Sequence, residues 1–451
     1  MQEFAIRSRR VVTSAGLRDS AVVVRNGKIA DVCPPEQIPL RIPVKDFGNL
    51  VVMPGLVDTH VHINEPGRTD WEGFETATKA AAAGGITTLV DMPLNSSPVT
   101  TTLDAFHKKL VSTRGKLWVD CGFYAGLIPG NNKDLRLLID AGVLGFKAFL
   151  IDSGIDEFPN VTEKDLRAGM PTIAASGLPL LVHCELHTTS NIPTLQQSKL
   201  KDYPSFLSSR PPQWEHDAID LMISLCKEFR CRTHIVHLSS ANGAEILSKA
   251  RAEGLPLTVE TCPHYLFFSS EDIPDRDTRF KCTPPIRERE NRERLWKALE
   301  EGTIDFIVSD HSPATPEMKL LGEGDFHRSW GGIASLQFGL SIVWTEAKSR
   351  GFTFENLTQW MSSRPASLVG LTSKGSIEVG FDADFVVWDP ESSFKVKPSI
   401  IQHRHKITPY EGKTLFGVVK KTFVRGTEVF DSGTLTKDPA GVVILRGRHS
   451  R

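Results

Sequence analysis

The chain has 451 residues, and its 53 Lys and Arg against 54 Asp and Glu give a formal net charge of −1. This balance supplies no basic field for phosphate backbones and argues against a dedicated nucleic-acid binder. No apolar run approaches the roughly 18 residues that a membrane span needs. Seven cysteines without a CxxC pair are too few for a disulfide scaffold. We therefore expect a protein that acts on a small molecule in a reducing compartment, the cytoplasm by default, with a peroxisomal or mitochondrial location left open.

Two β-rich segments enclose the rest of the chain. Short β-branched runs broken by Asn-Gly and Pro fill the first 54 positions, and the same texture returns after position 372. Each segment is too short to form a sheet domain alone, so we predict that the two join in one small, sandwich-like β domain. The predicted boundaries are 1–54 and 373–451 for the two parts of this domain and 55–372 for a catalytic domain.

Between these segments, short apolar runs alternate with stretches of helical pattern, as expected for βα units and a parallel sheet. The runs, eight in number, are LVDTHVHI, GITTLVDMP, VDCGFYAGLI, GFKAFLI, LPLLVHCE, THIVHLSS, LTVETCPHYL and DFIVSDHSP. Eight consecutive units predict a closed (β/α)8 barrel, in which the functional site lies at the carboxyl ends of the strands. The proline-containing stretch 186–215 after the fifth run predicts a long loop near that site.

Residues of metal-ligand type recur at the carboxyl ends of these runs. His60 and His62 are two positions apart, which places both imidazoles on one side of an extended chain. His183, His237 and Asp310 follow three other runs at comparable positions. A single histidine of this kind is more often a satisfied core residue than a ligand. Their joint recurrence predicts a metal centre at the barrel mouth.

Lys147 lies inside the apolar run GFKAFLI, where an ammonium is costly to bury. One interpretation is a lysine that extends to solvent or pairs with a carboxylate. The other is a neutral amine, since burial lowers the pKa of a lysine. Such an amine can add carbon dioxide and become N6-carboxylysine. This group would bridge two divalent ions that lie about 3.5–4 Å from each other and share a hydroxide. His60 and His62 would then bind one ion, and His183 and His237 the other.

Several motifs, in one order and over essentially the whole chain, resemble the cyclic amidases of the amidohydrolase superfamily. They are PGLVDTHVHINEPG, FKAFL, VHCE, VHLSS, ETCPHYL, KCTPPIR, SDHSP and GSIEVGFDADFVVWD. The resemblance implies metal-ligand roles for His60, His62, carboxylated Lys147, His183, His237 and Asp310. It also implies two divalent ions, zinc first with manganese, cobalt or iron open, and a homo-oligomer, either a tetramer or a dimer.

Within this group, HINEPGRTDWEGFETAT, MPLNSSP and SWGGIASLQ are similar to the motifs of the allantoinases. This implies hydrolytic ring opening of allantoin to allantoate in purine degradation, with Asp310 as the base and then the acid. By the same resemblance, Thr283 and Gly331 offer backbone groups to the imide edge of the ring. Asn95 either contacts the ureido arm of the substrate or forms a turn.

Two alternatives share the predicted fold. The first is a dihydropyrimidinase or hydantoinase, although Ile155 stands where dihydropyrimidinases typically have a substrate-contacting tyrosine. The second is a non-catalytic scaffold, which would be expected to lack metal ligands. Dihydroorotases typically have an arginine after the HxH pair, where this chain has Asn64.

Other polar residues near the predicted strand ends receive supporting roles. Asp58 is expected to orient a histidine rather than to bind a metal. His264 and His311 are expected to be structural or to support the ligands, and Cys262 and Cys282 to be buried as small apolar residues.

Overall fold

The structure, a computed structural model, describes residues 3–188 and 199–447. The strands are β1 (Glu3–Thr13), β2 (Gly16–Arg25), β3 (Lys28–Cys33), β4 (Val44–Asp46), β5 (Val51–Pro54), β6 (Leu56–Val61), β7 (Ile86–Asp91), β8 (Asp120–Phe123), β9 (Ala125–Gly126), β10 (Phe146–Phe149), β11 (Leu180–His183), β12 (Thr233–Ile235), β13 (Leu257–Thr261), β14 (Phe306–Ile307), β15 (Phe385–Lys395), β16 (Thr414–Val424), β17 (Thr427–Asp431) and β18 (Thr434–Leu435). The helices are α1 (Phe74–Ala83), α2 (Leu103–Ser112), α3 (Asn132–Ala141), α4 (Glu163–Ser176), α5 (Tyr203–Ser208), α6 (Pro212–Phe229), α7 (Ala241–Ala252), α8 (Pro263–Phe267), α9 (Arg289–Glu300), α10 (Gly339–Ser349), α11 (Phe354–Thr358) and α12 (Arg364–Leu368).

Strands β6 to β14 form the wall of a parallel barrel. Strands β6 to β8 pair in one sheet and β9 to β14 in another. Only Tyr124 separates β8 from β9, so these two short strands occupy one place in the barrel wall and connect the two sheets. The wall closes where the His62 N–H donates to the His311 carbonyl at 2.8 Å and Val61 bridges His311 in parallel. The predicted (β/α)8 barrel is confirmed, and each of the apolar runs contributes to its wall.

The two ends of helix α4 have capping signals that can be recognised in the sequence. Helix α4 begins with a capping box, in which Thr162 and Asp165 satisfy each other's backbone N–H groups. It ends at Gly177, whose φ of 72° is a left-handed conformation that glycine adopts without a Cβ clash. These caps fix where α4 begins and ends between β10 and β11.

The two ends of the chain build one β domain beside the barrel, as predicted. In the described residues the sheet runs in the order β18-β17-β16-β15-β5-β1-β2-β3, with β4 paired to β1. Strands β5 and β15 join the halves, since Pro54 pairs with Phe385 in an antiparallel register. The buried side chains of Ile6, Val52 and Phe385 lie in the core of this domain. The boundaries 1–54, 55–372 and 373–451 stay predictions.

Two features bind the β domain to the amino-terminal end of the barrel. The buried Lys374 ammonium donates to Asp120 at the start of β8 at 2.8 Å and to Asp384 beside β15 at 2.6 Å. The segment 441–446 lies along β8, where the Cys121 N–H donates to the Val442 carbonyl at 2.9 Å. Both contacts lie at the end of the barrel opposite the carboxyl ends of its strands.

The predicted loop 186–215 is wrong in part, because it contains α5 and the start of α6. Pro204 lies in the first turn of α5, and Pro211 and Pro212 occupy the cap and first position of α6. Proline is tolerated at these positions because the first N–H groups of a helix have no intrahelical acceptor. Positions 189–198 of the predicted loop lie outside the described residues.

The seven cysteines are all unpaired and buried. Among the described helices, none has the length and apolar character needed to cross a membrane.

Candidate metal centre

The six predicted ligands converge at the carboxyl end of the barrel, and none is more than 6% exposed. His60 lies in β6, Lys147 in β10 and His183 at the end of β11. His62, His237 and Asp310 follow β6, β12 and β14. The closed wall of the barrel therefore brings together residues that are up to 250 positions apart.

Three of these side chains form a compact group that could hold one cation. The Nε2 atoms of His60 and His62 lie 3.2 and 3.6 Å from Oδ1 of Asp310, and all three ligand atoms lie within 4.8 Å of one another. The hydroxyl of Ser312 donates to the same Asp310 oxygen at 2.9 Å. Burial raises the pKa of Asp310 to about 7.

His183 and His237 form a second pair. Nδ1 of His183 lies 3.0 Å from Nε2 of His237, and the His183 ring stacks on Phe149 with centroids 4.6 Å apart. The ring centroid of His237 is 5.4 Å from that of His60, which places the two groups side by side. Two nitrogen atoms that face each other in this way offer a pair of ligands to a second cation.

Lys147 lies among these groups and is fully buried. Its Nζ atom has no hydrogen-bond partner among the described residues. Burial lowers the pKa of Lys147 to about 8, which favours the neutral amine. Burial also lowers the pKa of the four imidazoles, which favours their neutral form. An amine without a hydrogen-bond partner in the described residues, surrounded by neutral imidazoles and a carboxylate, is a set of groups that suits a centre of two cations.

The outward nitrogen atoms of three imidazoles are held by neighbouring side chains. Nδ1 of His60 lies 2.5 Å from Oε1 of Glu260, and Nε2 of His183 lies 2.8 Å from Oε2 of Glu185. Nδ1 of His62 lies 3.4 Å from the Asn95 amide nitrogen. Metal-binding histidines are commonly oriented in this way, with the second nitrogen bound to a carboxylate or an amide. These contacts fix which nitrogen atom of each ring faces the centre.

Glu260 lies against the candidate centre and was missed by the sequence interpretation. Besides His60, its carboxylate contacts Nε2 of His234 at 2.9 Å and accepts from the backbone N–H of His237 at 3.3 Å. Burial raises the pKa of Glu260 to about 8. A glutamate inside the apolar run LTVETC is the same signal that identified Lys147, so it could have been found.

We expect Glu260→Gln to weaken metal binding by about 10- to 100-fold, because the His60 ring loses the carboxyl group that holds its Nδ1 atom. The measurement is metal content after dialysis against a series of chelator concentrations. Glu215→Gln is the matched control, since Glu215 is equally buried but binds Arg287 and Ser239 rather than a predicted ligand. Equal metal retention by the two variants would contradict a role for Glu260 at the centre.

Backbone conformation also fixes two predicted ligands. His237 and Asp310 have φ values of 38° and 44°, in the left-handed region that non-glycine residues rarely adopt. Asp58 accepts from the backbone N–H of His60 at 3.2 Å and from that of Ser309 at 3.1 Å. Asp58 therefore orients the chain beside His60 and Asp310 rather than an imidazole.

The remaining residues singled out from the sequence are buried near the centre. His311 contacts Glu72 at 3.2 Å and accepts from the Ser335 N–H at 3.2 Å. His264 and Cys262 lie with Asp310 in a second group whose ligand atoms are within 4.8 Å. Cys282 donates to the Pro284 carbonyl at 3.3 Å.

A cavity of about 720 Å³ lies among the segments that follow β10, β11 and β14 at the carboxyl end of the barrel. Thr283 and Gly331 line it, together with Arg210, which donates to Glu185 at 2.6 Å. Burial raises the pKa of Glu185, but Arg210 and His183 outweigh that effect and lower it to about 2, so this carboxylate is ionised. Asn95 has a φ of 66°, and its amide nitrogen contacts His62. Asn95 thus has the backbone conformation of a turn residue and contacts a predicted ligand, and its contact with the ureido arm stays a prediction.

A sequence model of the Amidohydrolase family matches residues 51–429, and the chain belongs to that family. Among single proteins, it is 49% identical to the allantoinase of Streptomyces avermitilis over 98% of this chain and 99% of that protein. It is 46% identical to the allantoinase of Arabidopsis thaliana over 98% of this chain and 90% of that protein. Among solved structures, the L-hydantoinase (dihydropyrimidinase) of Arthrobacter aurescens has a TM-score of 0.92 and 33% identity, covering 99% of this chain and 100% of that one.

Proposed function

We propose that this chain is a metal-dependent allantoinase, which opens the hydantoin ring of allantoin by hydrolysis to give allantoate. The observation that carries the proposal is the 49% identity with an allantoinase over nearly the full length of both chains. The convergence of six buried side chains of ligand type at the barrel mouth supports a catalytic rather than a scaffold role.

In this proposal, His60, His62 and Asp310 would hold one divalent cation, His183 and His237 would hold the other, and carboxylated Lys147 would be a ligand of both. Zinc suits this set of imidazole and carboxylate ligands, and manganese, cobalt and iron are the alternatives. When bound, the cations supply an activated water and polarise the ring carbonyl. The neutral Lys147 amine adds to carbon dioxide, forming an N–C bond and releasing one proton, which gives N6-carboxylysine.

Asp310 transfers the proton in this mechanism. Its carboxylate faces the centre, and the Ser312 hydroxyl fixes one oxygen at 2.9 Å. Asp310 takes a proton from the attacking water and passes it to the ring nitrogen as the amide bond breaks. The ring opens to a carboxylate and a free ureido nitrogen.

Thr283, Gly331 and Asn95 orient the substrate. Thr283 and Gly331 line the cavity at the mouth, where their backbone groups pair with the imide edge of the ring. Asn95 is 3% exposed, and its side-chain oxygen has no hydrogen-bond partner in the described chain. That oxygen is therefore free to accept from the ureido arm.

A hydantoinase or dihydropyrimidinase is the second candidate, favoured by the close structural similarity to an L-hydantoinase. Ile155 counts against dihydropyrimidine hydrolysis, because this buried side chain supplies no hydroxyl where the resemblance places a tyrosine.

We expect metal-loaded protein to hydrolyse allantoin with a kcat/KM at least about tenfold above that for hydantoin, dihydrouracil and dihydroorotate, since only allantoin presents the ureido arm. The measurement is initial rate against substrate concentration for the four compounds. Protein stripped with a chelator serves as the control for metal-independent hydrolysis. A clear preference for dihydrouracil would move the assignment to the second candidate.

We further propose a homo-oligomer, a tetramer or a dimer, in the cytoplasm, with a peroxisomal or mitochondrial location as the alternative. Light scattering after size-exclusion chromatography tests the mass, and fluorescence microscopy of the tagged chain tests the location.

A further inference from the structure

We propose that two buried lysines, Lys281 and Lys319, position the backbone of Gly331 against the ring of the substrate. Both lysines act through the segment 327–332, which carries Gly331, and neither has to touch the substrate. The inference rests on the proposed function, since that function places a ring imide at Gly331.

Lys319 is 3% exposed, and its ammonium donates to three carbonyl oxygens. These belong to Gly332 at 2.8 Å, Trp330 at 3.0 Å and Lys281 at 3.2 Å. An ammonium has three N–H donors, so Lys319 is saturated by backbone. Two of its acceptors flank Gly331 on either side, and the third lies two positions before Thr283.

Lys281 holds the other half of the same segment. Its ammonium donates to the carbonyl of His327 at 3.0 Å and to that of Ser329. Its own carbonyl accepts from the Gly332 N–H at 2.9 Å. The two ammonium groups thus bind the carbonyls of four of the six residues in segment 327–332.

The backbone groups of Gly331 and Thr283 are left unpaired among the described residues, and these are the groups that the ring of the substrate would bind. Within the described chain, neither the N–H nor the carbonyl of Gly331 has a hydrogen-bond partner, and the same holds for Thr283. The two residues are adjacent, because a Cβ at Gly331 would lie 3.5 Å from the Thr283 side chain. Both line the cavity at the carboxyl end of the barrel. An imide edge, with one N–H between two carbonyls, requires such a set of donors and acceptors.

The surroundings of Lys281 and Lys319 favour a positioning role over a purely structural one. No carboxylate in the described residues lies within ion-pair distance of either ammonium. Burying a cation without an opposite charge is costly, and buried polar groups of this kind are often kept at functional sites. Lys374, by contrast, is buried among three aspartates at the far end of the barrel.

The test compares Lys319→Met and Lys281→Met with Lys374→Met as the matched buried control, all in metal-loaded full-length protein. We expect each of the first two variants to raise KM for allantoin by about 10- to 100-fold, with metal content unchanged and kcat changed much less. The inhibition constant of hydantoin, which has the imide edge but no ureido arm, should rise by the same factor. Lys319→Arg keeps the donors and should recover part of the affinity.

Lys374→Met is expected to lower Tm while leaving KM at the wild-type value. A folded, metal-loaded Lys319→Met protein with wild-type KM and hydantoin inhibition would overturn the inference. Should that variant not fold, Lys281→Met decides by the same criterion. If wild-type protein prefers dihydrouracil, the proposed function fails, but the lysine pair is then tested with dihydrouracil, which has the same imide edge.

Discussion

Lys147→Ala is expected to lose most of its bound metal and nearly all of its activity. The lysine lies among four imidazoles and Asp310, and its orphaned Nζ atom is the group that would join the two halves of the centre. Removing it should weaken metal binding by more than the roughly 10- to 100-fold that loss of an outer partner costs. Metal analysis by mass spectrometry and the rate of allantoin hydrolysis measure the two effects.

Short carboxylic acids such as acetate or propionate should restore part of this activity, because they can fill the space of the missing carbamate. Lys374→Ala is the matched control: it also removes a buried lysine, but at the opposite end of the barrel. Its activity should not respond to carboxylic acids. Full metal content and activity in Lys147→Ala would refute the carboxylated lysine.

Asp310→Asn is expected to lower kcat by about 10²- to 10⁴-fold, the usual contribution of general acid and base catalysis. The amide keeps the size of the side chain and can still accept from Ser312, but it cannot take a proton from water. Steady-state kinetics at saturating metal separates this effect from a loss of ligand.

Asp305→Asn is the corresponding control for Asp310. Asp305 lies just before β14 and pairs with Arg251 at 3.0 Å, whereas Asp310 lies beyond the other end of the same strand. The control should alter stability more than kcat. A comparable fall in kcat for both variants would contradict proton transfer by Asp310.

The barrel and its candidate ligands were predictable because they depend on short-range pattern. Each ligand of the imidazole type follows an apolar run, and parallel strands bring their carboxyl ends together at one rim. Lys147 could be recognised from the sequence because burying a charged side chain within an apolar run is costly. The same argument applied to Glu260 would have identified the group that holds His60.

Other features depend on tertiary contacts that carry no local signal. Lys319 lies in TPEMKLLGEG, which has the composition of an exposed loop, and it is buried only because segment 327–332 closes around it. The prolines at 204, 211 and 212 predict a loop, yet they begin helices, since proline serves both purposes. The contact of segment 441–446 with β8 could not be read from sequence, because the segment binds β8 through its backbone N–H and carbonyl groups, which are common to other segments.

The pairing of β5 with β15 has a consequence for how the protein is made. Pro54 leaves the ribosome long before its partner Phe385. At about 5–20 residues per second, the roughly 330 intervening residues take on the order of 15–65 s to synthesise. During that time the nascent chain presents an open strand edge that only about its last sixth can cover. The β domain is therefore completed last during translation, and the barrel has the opportunity to fold first.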